Sequence, residues 1–220
     1  MIGISKLYCG TVEPSDALRY GRQSKEMPSH LLQFSRDKKP VVVWNITRSC
    51  NLKCVHCYAH ATDEAAKEEL STEEGKQLLD DLADFGTPVV LFSGGEPLVR
   101  KDLVELADYA VKRGMRAVIS TNGTLITRSA AQALKEVGLS YVGISLDGMR
   151  EVNDRFRGVK GSFDRAMAGI EHCQEAGIKV GLRFTINRMN VAEIPAIFDL
   201  LEVRDIPRVC FYRLVYSGRG

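Results

Sequence analysis

The chain has 220 residues, 45% of them hydrophobic and 26% charged, so it can bury one sizeable core and is not a disordered segment. Its 30 basic and 28 acidic residues leave a net charge of only +2, which argues against nucleic acid or an anionic membrane as a partner. Strand-sized apolar runs exclude a membrane-spanning helix of roughly 20 residues, and few cysteines with no signal-peptide pattern favour the reducing cytoplasm.

The first forty residues show no convincing hydrophobic period. They mix polar and apolar side chains and are interrupted by Pro14, Pro28 and Pro40. We therefore interpret residues 1–40 as an N-terminal extension that packs on the core, and residues 41–220 as the main folded unit.

Six strand-like runs alternate with helical segments after Pro40. The first helix follows a capping box formed by Ser71 and Glu74. This alternation predicts an α/β fold with a parallel sheet, either open and doubly wound or curled into a barrel. A complete eightfold barrel needs about 250 residues, so six units predict a partial one. The predicted strands cover residues 41–46, 88–92, 116–120, 141–146, 179–186 and 208–216.

Three of the six cysteines lie within eight residues, directly after the first predicted strand. The spacing of Cys50, Cys54 and Cys57 is C-x3-C-x2-C, and three thiolates from one loop favour an iron–sulfur cluster with one open iron. An open iron can bind a small molecule, which indicates catalysis. The alternatives are a zinc site completed by His56 or His60, or unrelated buried thiols.

The other three cysteines have a different context. Cys173 lies on the apolar face of a predicted helix and Cys210 lies inside a predicted strand. Free cysteine is commonly buried, so we interpret these two and Cys9 as structural.

Polar residues follow successive predicted strands at the same end. Residues 93–97 follow the second strand, Asn122 follows the third, Ser145 ends the fourth, and Arg183 lies on the fifth. Each could alone be part of a turn or a helix cap. In both candidate folds, however, the active site lies at the carboxyl ends of the strands, so together these residues predict a site.

Two of these motifs together resemble the radical S-adenosylmethionine (SAM) superfamily. They are the cysteine motif, with His56 in its aromatic position, and Gly94-Gly95-Glu96 after the second strand. The resemblance implies a partial (β/α)6 barrel and a [4Fe–4S] cluster whose open iron chelates SAM. It also implies that an electron from a low-potential donor, such as ferredoxin or flavodoxin, cleaves SAM to a 5′-deoxyadenosyl radical that abstracts a substrate hydrogen.

The resemblance assigns individual roles as well. Cys50, Cys54 and Cys57 would ligate the cluster. The implied SAM contacts are Gly94, Gly95 and Glu96 for the methionine ammonium, Ser145 and Arg157 for the ribose and carboxylate, Asn122 as a neighbouring contact, and His56 against the adenine.

Four longer stretches look like the radical SAM enzymes of alternative haem biosynthesis: residues 92–98, 120–127, 153–158 and 207–220. One such enzyme removes acetate side chains from 12,18-didecarboxysirohaem to give iron-coproporphyrin III, and another trims propionates on the route to haem d1. Residues 1–10 favour the first. The resemblance implies a carboxylate-rich tetrapyrrole substrate, which could meet Arg183, Arg208, Arg213 and Arg219.

Those enzymes continue past the sixth strand into a C-terminal extension whose cysteines can hold a second iron–sulfur cluster. This chain stops at Gly220, so we expect it to lack that extension. Two other functions stay open: a radical SAM maturase that modifies peptides, and a non-enzymatic iron–sulfur electron carrier or scaffold.

Overall fold

The computed structural model describes residues 39–64, 66 and 68–220. The predicted N-terminal extension, except for its last two residues, and Cys9 lie outside this part. The strands are β1 (Val42–Thr47), β2 (Val89–Gly94), β3 (Arg116–Thr121), β4 (Tyr141–Ser145), β5 (Val180–Ile186) and β6 (Val209–Arg213). The α-helices are α1 (Thr72–Asp84), α2 (Leu103–Lys112), α3 (Arg128–Glu136), α4 (Arg150–Arg157), α5 (Ser162–Glu175) and α6 (Ile194–Val203).

The six strands form one sheet in the order β1-β2-β3-β4-β5-β6, and each pairs in parallel with the next. Right-handed crossovers between strands in sequential order place every helix on the same face of the sheet. The order does not reverse, as it does in a doubly wound fold. The structure therefore confirms the partial (β/α)6 barrel and resolves the choice that the alternation left open.

All six predicted strands occur, with boundaries shifted by a few residues. The capping box is confirmed, because Ser71 N donates to Glu74 Oε2 at 2.8 Å and Glu74 N donates to Ser71 Oγ at 3.3 Å. The largest strand difference is at β6, which ends at Arg213 rather than at Tyr216.

Helix α4 was not predicted. It has only eight residues, and the side chains it buries are Asn153, Phe156 and Arg157, two of which are polar. A helix that buries polar groups lacks the apolar stripe on which sequence prediction depends. It ends at Gly158, whose φ of 70° is the left-handed conformation of a helix C-terminus.

The core lies between the sheet and the helices. One alternate set of strand side chains faces the helices, as the two-residue period of a strand requires. This set is buried and includes Trp44, Ile46, Val90, Phe92, Ile119, Val142, Ile144, Leu182 and Phe184. The opposite set faces the inner, concave side of the sheet and includes Asn45, Ser93, Ser120, Ser145, Arg183 and Cys210. In the described part of the chain, no helix is long and apolar enough to cross a bilayer.

Candidate functional site

The loop that carries the three cysteines leaves β1 at its carboxyl end and is fixed to β2 by backbone hydrogen bonds. Gly95 N donates to Thr47 O and Glu96 N donates to Ser49 O, both at 2.8 Å. Farther along, Cys50 N donates to Thr62 O at 2.6 Å, which closes the loop on itself. The ladder between β1 and β2 therefore continues into the cysteine loop.

The two glycines of the loop after β2 are explained by this close approach. Gly94 has a φ of +129°, and a Cβ atom there would lie 2.3 Å from Thr47 O. A Cβ atom on Gly95 would lie 2.2 Å from Ser49 O. Only glycine fits at such distances. The chain's own backbone thus requires both glycines, and their contact with a methionine ammonium stays a prediction.

Helix α4 holds the cysteine loop from its other side. The last carbonyls of a helix have no partner inside the helix. Here Val55 N donates to Phe156 O at 2.9 Å and Lys53 N donates to Arg157 O at 3.1 Å. The cysteine loop therefore caps the carboxyl end of α4.

The three thiols of the motif are half-buried, are not in disulfides, and each accepts a hydrogen bond at sulfur. Donors to sulfur stabilise a thiolate and influence the potential of an iron–sulfur cluster. For Cys50, Cys54 and Cys57 in turn, the donors are Leu52 N at 3.4 Å, Arg157 Nη1 at 3.7 Å and Ala61 N at 3.4 Å.

The chemistry of these thiols suits a multi-iron cluster. Burial raises the pKa of Cys50 to about 11, and a metal cation bound at the sulfur would offset this cost and favour the thiolate. Within the described ranges, no three His, Cys, Asp or Glu side chains are grouped around the position of a single metal ion. A cluster distributes its thiolates over separate irons, so it tolerates wider spacing than one ion.

A buried carboxylate, Asp147, lies just beyond the end of β4 and joins two basic residues. Its Oδ2 lies 2.9 Å from His56 Nε2 and 2.5 Å from Arg157 Nη2, and its Oδ1 accepts from Thr185 N at 2.8 Å. Burial alone would raise the pKa of Asp147, but the charge of Arg157 and the contact with His56 hold it below its usual value. Asp147 is therefore a fully buried anion with two cationic or polar partners.

His56 and Arg157 are both positioned by this carboxylate. The His56 ring meets Phe156 edge-on, with centroids 5.5 Å apart, and its Nδ1 is buried without a hydrogen-bond partner among the described residues. The Arg157 guanidinium, 9% exposed, lies between Asp147 and the Cys54 sulfur. Their contacts with SAM stay predictions. Sequence reasoning gave Asp147 no role, although an acidic residue directly after a strand was a usable signal.

Glu96 is completely buried and connects the ends of β2 and β3. Its Oε1 accepts from Thr121 Oγ1 at 2.7 Å and from Leu98 N at 3.1 Å, and its Oε2 accepts from Asn122 N at 2.7 Å. Burial raises the pKa of Glu96. A cation placed beside this carboxylate would offset the cost of burying its charge, which is compatible with the predicted ammonium contact.

Asn122 ties the loop after β3 to the cysteine loop. Its Nδ2 donates to Asn51 Oδ1 at 2.9 Å, and its Oδ1 accepts from Thr124 Oγ1 at 2.7 Å. Asn51 Nδ2 in turn donates to Thr124 Oγ1 at 2.9 Å. Asn51 and Thr124 were not predicted as site residues, because isolated polar loop residues carry no recognisable period.

The four arginines that were considered for substrate carboxylates lie in different parts of the structure. Arg183 and Arg208 follow the inward phase of β5 and β6, and Ser145 lies opposite Arg183 in register. Arg213 is exposed and in phase with the buried, helix-facing Val209. Arg219 instead donates from Nε to Cys54 O at 2.8 Å and from Nη1 to Ala61 O at 2.9 Å, so it braces the cysteine loop.

The remaining cysteines differ from one another. Cys173 is fully buried in the core, and burial raises its pKa to about 12, which fits the structural role predicted for it. Cys210 is half-buried and faces the inner side of the sheet, opposite Arg183 in register.

Comparison with known proteins gives consistent matches. The family model described as "Radical SAM superfamily" matches residues 44–201. The chain is 76% identical over 220 residues to the Fe-coproporphyrin III synthase of Methanosarcina barkeri and 44% identical over 182 residues to the Pre-heme d1 synthase of Dinoroseobacter shibae. These matches cover 100% and 83% of this chain but 55% and 45% of the two relatives, so the chain spans about half the length of the curated relatives it matches.

A solved structure shares the fold. It is titled "Native anSMEcpe with bound AdoMet", and it matches with a TM-score of 0.69 at 21% identity, over 80% of this chain and 51% of the other. At this identity the likeness is one of fold.

Proposed function

The chain belongs to the radical SAM superfamily, and we propose that it carries the SAM-cleaving barrel of an enzyme that removes acetate side chains from 12,18-didecarboxysirohaem to give iron-coproporphyrin III. The choice of reaction rests on the difference in sequence identity between this chain and its two relatives. The chain is 76% identical over its full length to an Fe-coproporphyrin III synthase, against 44% over 182 residues to a Pre-heme d1 synthase.

The three cysteines would hold a [4Fe–4S] cluster, and SAM would bind its open iron. When bound, these two groups supply the 5′-deoxyadenosyl radical, which abstracts a hydrogen from the substrate. The donors at the three sulfurs, above all the permanently charged Arg157, favour the thiolate form of the ligands. The buried Glu96 offers a negative charge to the ammonium of SAM.

Further contacts with SAM are part of the same proposal. Gly94 and Gly95 offer backbone groups at the mouth of the barrel, and Ser145 at the end of β4 contacts the ribose. Asn122 supports the methionine end and His56 the adenine, both from positions that the buried polar contacts already fix. Such preorganisation lets the protein orient a cofactor that does the difficult chemistry while excluding water.

The rest of the enzyme is proposed from the family. We propose a low-potential electron donor such as ferredoxin or flavodoxin, and a second iron–sulfur cluster in a C-terminal extension of the full-length protein. The chain covers 55% of its relative from Methanosarcina barkeri, which is compatible with such an extension.

The test is anaerobic reconstitution of the full-length protein with iron, sulfide, SAM and a low-potential reductant. We expect 5′-deoxyadenosine, and conversion of didecarboxysirohaem to iron-coproporphyrin III detected by mass spectrometry. A cluster-loaded protein that makes no 5′-deoxyadenosine overturns radical SAM activity altogether. Formation of 5′-deoxyadenosine without conversion of this tetrapyrrole overturns only the assigned substrate and directs the search to propionate trimming or to peptides.

EPR spectroscopy distinguishes a radical SAM enzyme from a non-enzymatic electron carrier or scaffold. An electron carrier or scaffold has no SAM bound at its cluster, so its reduced EPR signal is unchanged when SAM is added. We expect the signal to shift.

A further inference from the structure

The Arg183 side chain lies on the inner wall of the barrel, in space that is free because Gly143 has no side chain. It lies in the middle of β5, opposite Ser145 of β4 and Cys210 of β6. A Cβ atom on Gly143 of β4 would lie 2.3 Å from Arg183 Nε and 3.1 Å from its Cδ. The side chain therefore lies flat across the neighbouring strand, and any larger residue at position 143 would displace it.

The guanidinium of Arg183 is held without an acidic partner. Its Nε is buried and makes no hydrogen bond, and within residues 39–64, 66 and 68–220 no carboxylate forms an ion pair with it. Its Cζ lies 5.8 Å from the centroid of the Tyr212 ring. Arginine is always charged and offers five donors in a planar fork, so a partly desolvated arginine of this kind suits an anionic ligand.

A second pair of residues repeats this arrangement two residues nearer the amino ends of β4 and β5. Tyr141 of β4 crosses Gly181 of β5, where a Cβ atom would lie 2.3 Å from the Tyr141 hydroxyl. Arg208, directly before β6, lies over the Tyr141 ring, with Cζ 5.5 Å from the centroid. We call Tyr141, Arg183, Arg208 and Tyr212 the inner-wall cluster. Flat aromatic and guanidinium groups on one wall suit a flat ligand that carries carboxylates.

We propose that Arg183 is a specificity-determining residue that binds a carboxylate side chain of the tetrapyrrole substrate through its Nη atoms. The assignment rests on the proposed function, which supplies the ligand class. The competing source of a carboxylate is SAM. The SAM carboxylate is already assigned to the open iron and to Arg157, whereas Arg183 lies opposite Ser145, the proposed ribose contact, so the experiment measures SAM affinity as well as porphyrin affinity.

The experiment compares three variants of the reconstituted full-length protein: Arg183→Gln, Arg183→Lys and Arg128→Gln. Arg128 is an exposed arginine of α3 paired with Glu175 on the outer face, so it controls for loss of one positive charge. The probe is iron-coproporphyrin III, titrated by its absorbance change, and SAM affinity is measured from the EPR shift of the reduced cluster. Melting by circular dichroism checks that each variant is folded.

For Arg183→Gln we expect a Kd for iron-coproporphyrin III at least tenfold higher than that of the parent, with a SAM affinity changed by less than twofold, because a charge-assisted hydrogen bond to the substrate is lost. Arg183→Lys keeps the positive charge but lacks the planar set of guanidinium donors. Its Kd for iron-coproporphyrin III should therefore lie between those of the parent and Arg183→Gln. The tetramethyl ester of the porphyrin, which has no free carboxylate, should bind the parent and Arg183→Gln equally.

Four results overturn the assignment. Unchanged porphyrin affinity in Arg183→Gln and Arg183→Lys would show that Arg183 does not contact the porphyrin. A loss of SAM affinity with unchanged porphyrin affinity would show that Arg183 binds the SAM carboxylate. An equal loss in Arg128→Gln makes the effect one of net charge. A parent that cleaves SAM but binds no porphyrin overturns the proposed substrate and, with it, this assignment, so the two failures are distinguishable.

Discussion

At the scale of single residues, Asp147 sets the charge arrangement beside the cysteine loop. It is fully buried and lies within ion-pair distance of both His56 and Arg157, and Arg157 reaches the sulfur of Cys54. A buried ion pair contributes little by itself, but removing one partner leaves an uncompensated charge. The position of Arg157 beside Cys54, a proposed cluster ligand, therefore depends on a carboxylate that contacts no thiol itself.

Replacing Asp147 should destabilise the protein strongly. Asp147→Ala leaves the buried Arg157 without its counter-ion, and we expect a loss of about 3–5 kcal/mol in the free energy of unfolding. Urea denaturation at pH 7 measures it. Asp164→Asn, at an exposed ion pair with Arg150, is the matched control and should cost less than about 1 kcal/mol. Equal losses in the two variants would contradict the role assigned to Asp147.

Gly95 gives a second prediction at this scale. Gly95→Ala places a Cβ atom 2.2 Å from Ser49 O, so the cysteine loop must move, and we expect reduced iron content after reconstitution as well as lower stability. Gly114→Ala is the control, because a Cβ atom there meets nothing within 4 Å although its φ is +82°. That control should lose only the cost of left-handed strain, about 1–2 kcal/mol, and retain its iron. Full iron content in Gly95→Ala would refute the close-approach explanation.

Residues with a motif were predictable and their partners were not. The three cysteines and the glycines of the loop after β2 were found from spacing alone, because ligand spacing is local in sequence. Asn51 contacts Asn122 and Thr124, which lie 71 and 73 positions away, and Asp147 pairs with His56 across the barrel mouth. The position of Asp147 directly after a strand was a signal for a site residue, but the sequence around these three residues does not identify the partners they contact.

At the scale of elements, the beginning of α2 connects three parts of the fold. Arg100 Nη1 donates to Ile46 O of β1 at 2.9 Å, and its Nε and Nη2 donate to Asp102 at 2.7 and 2.8 Å. Asp102 Oδ2 also accepts from Thr72 Oγ1 of α1 at 2.7 Å. The ion pair between Arg100 and Asp102 thus connects the first residues of α1 and α2 to β1, close to the start of the cysteine loop.

This ion pair makes stability depend on acid pH. The hydrogen bonds from Arg100 lower the pKa of Asp102 from 3.8 to about 2, so its contribution is fully present above the unfolded value and is lost as pH falls through about 2. We expect Asp102→Asn to cost about 1–2 kcal/mol at pH 7, and roughly half of that at about pH 3. Urea denaturation at both values measures the change. Asp108→Asn, at the exposed pair with Lys112 on the same helix, should cost less than about 0.5 kcal/mol at either pH; a pH-independent cost at Asp102 would contradict the linkage.

Helix α4 marks the limit of element prediction. Longer helices were predictable from their apolar faces, whereas α4 buries Asn153 and Arg157 and lends its last carbonyls to the cysteine loop. Its sequence is shaped by the site rather than by the core. Such departures from local pattern are expected at functional positions.

At the scale of the whole molecule, the order of the strands was the missing information. Alternating strands and helices predicted a parallel sheet, but an open doubly wound sheet and a partial barrel have the same alternation. The hydrogen-bonded order from β1 to β6 resolves it. That order depends on contacts between distant segments, which the period of side chains along one strand does not encode.

Among the described strands, β1 and β6 are the two edges of the partial barrel, and the segment after β6 returns to the loop after β1. Arg219 N donates to Cys57 O at 2.9 Å, while its Nε and Nη1 donate to Cys54 O and Ala61 O at 2.8 and 2.9 Å. These contacts join residues separated by up to 165 positions. Arg219 therefore connects the two ends of the sheet at the level of the cysteine loop.

Arg219→Gln removes two charge-assisted hydrogen bonds from the carbonyls of the cysteine loop, and each such bond contributes about 1.5–3 kcal/mol when buried. Since Arg219 is half-buried, we expect a cluster that is lost roughly tenfold faster to an iron chelator under anaerobic conditions, followed by visible absorbance. Arg213→Gln, at the exposed end of β6, removes the same charge without a contact to the cysteine loop and should retain the parental rate. Identical rates in the parent and in Arg219→Gln would mean that the cysteine loop holds its cluster without this connection between the sheet edges.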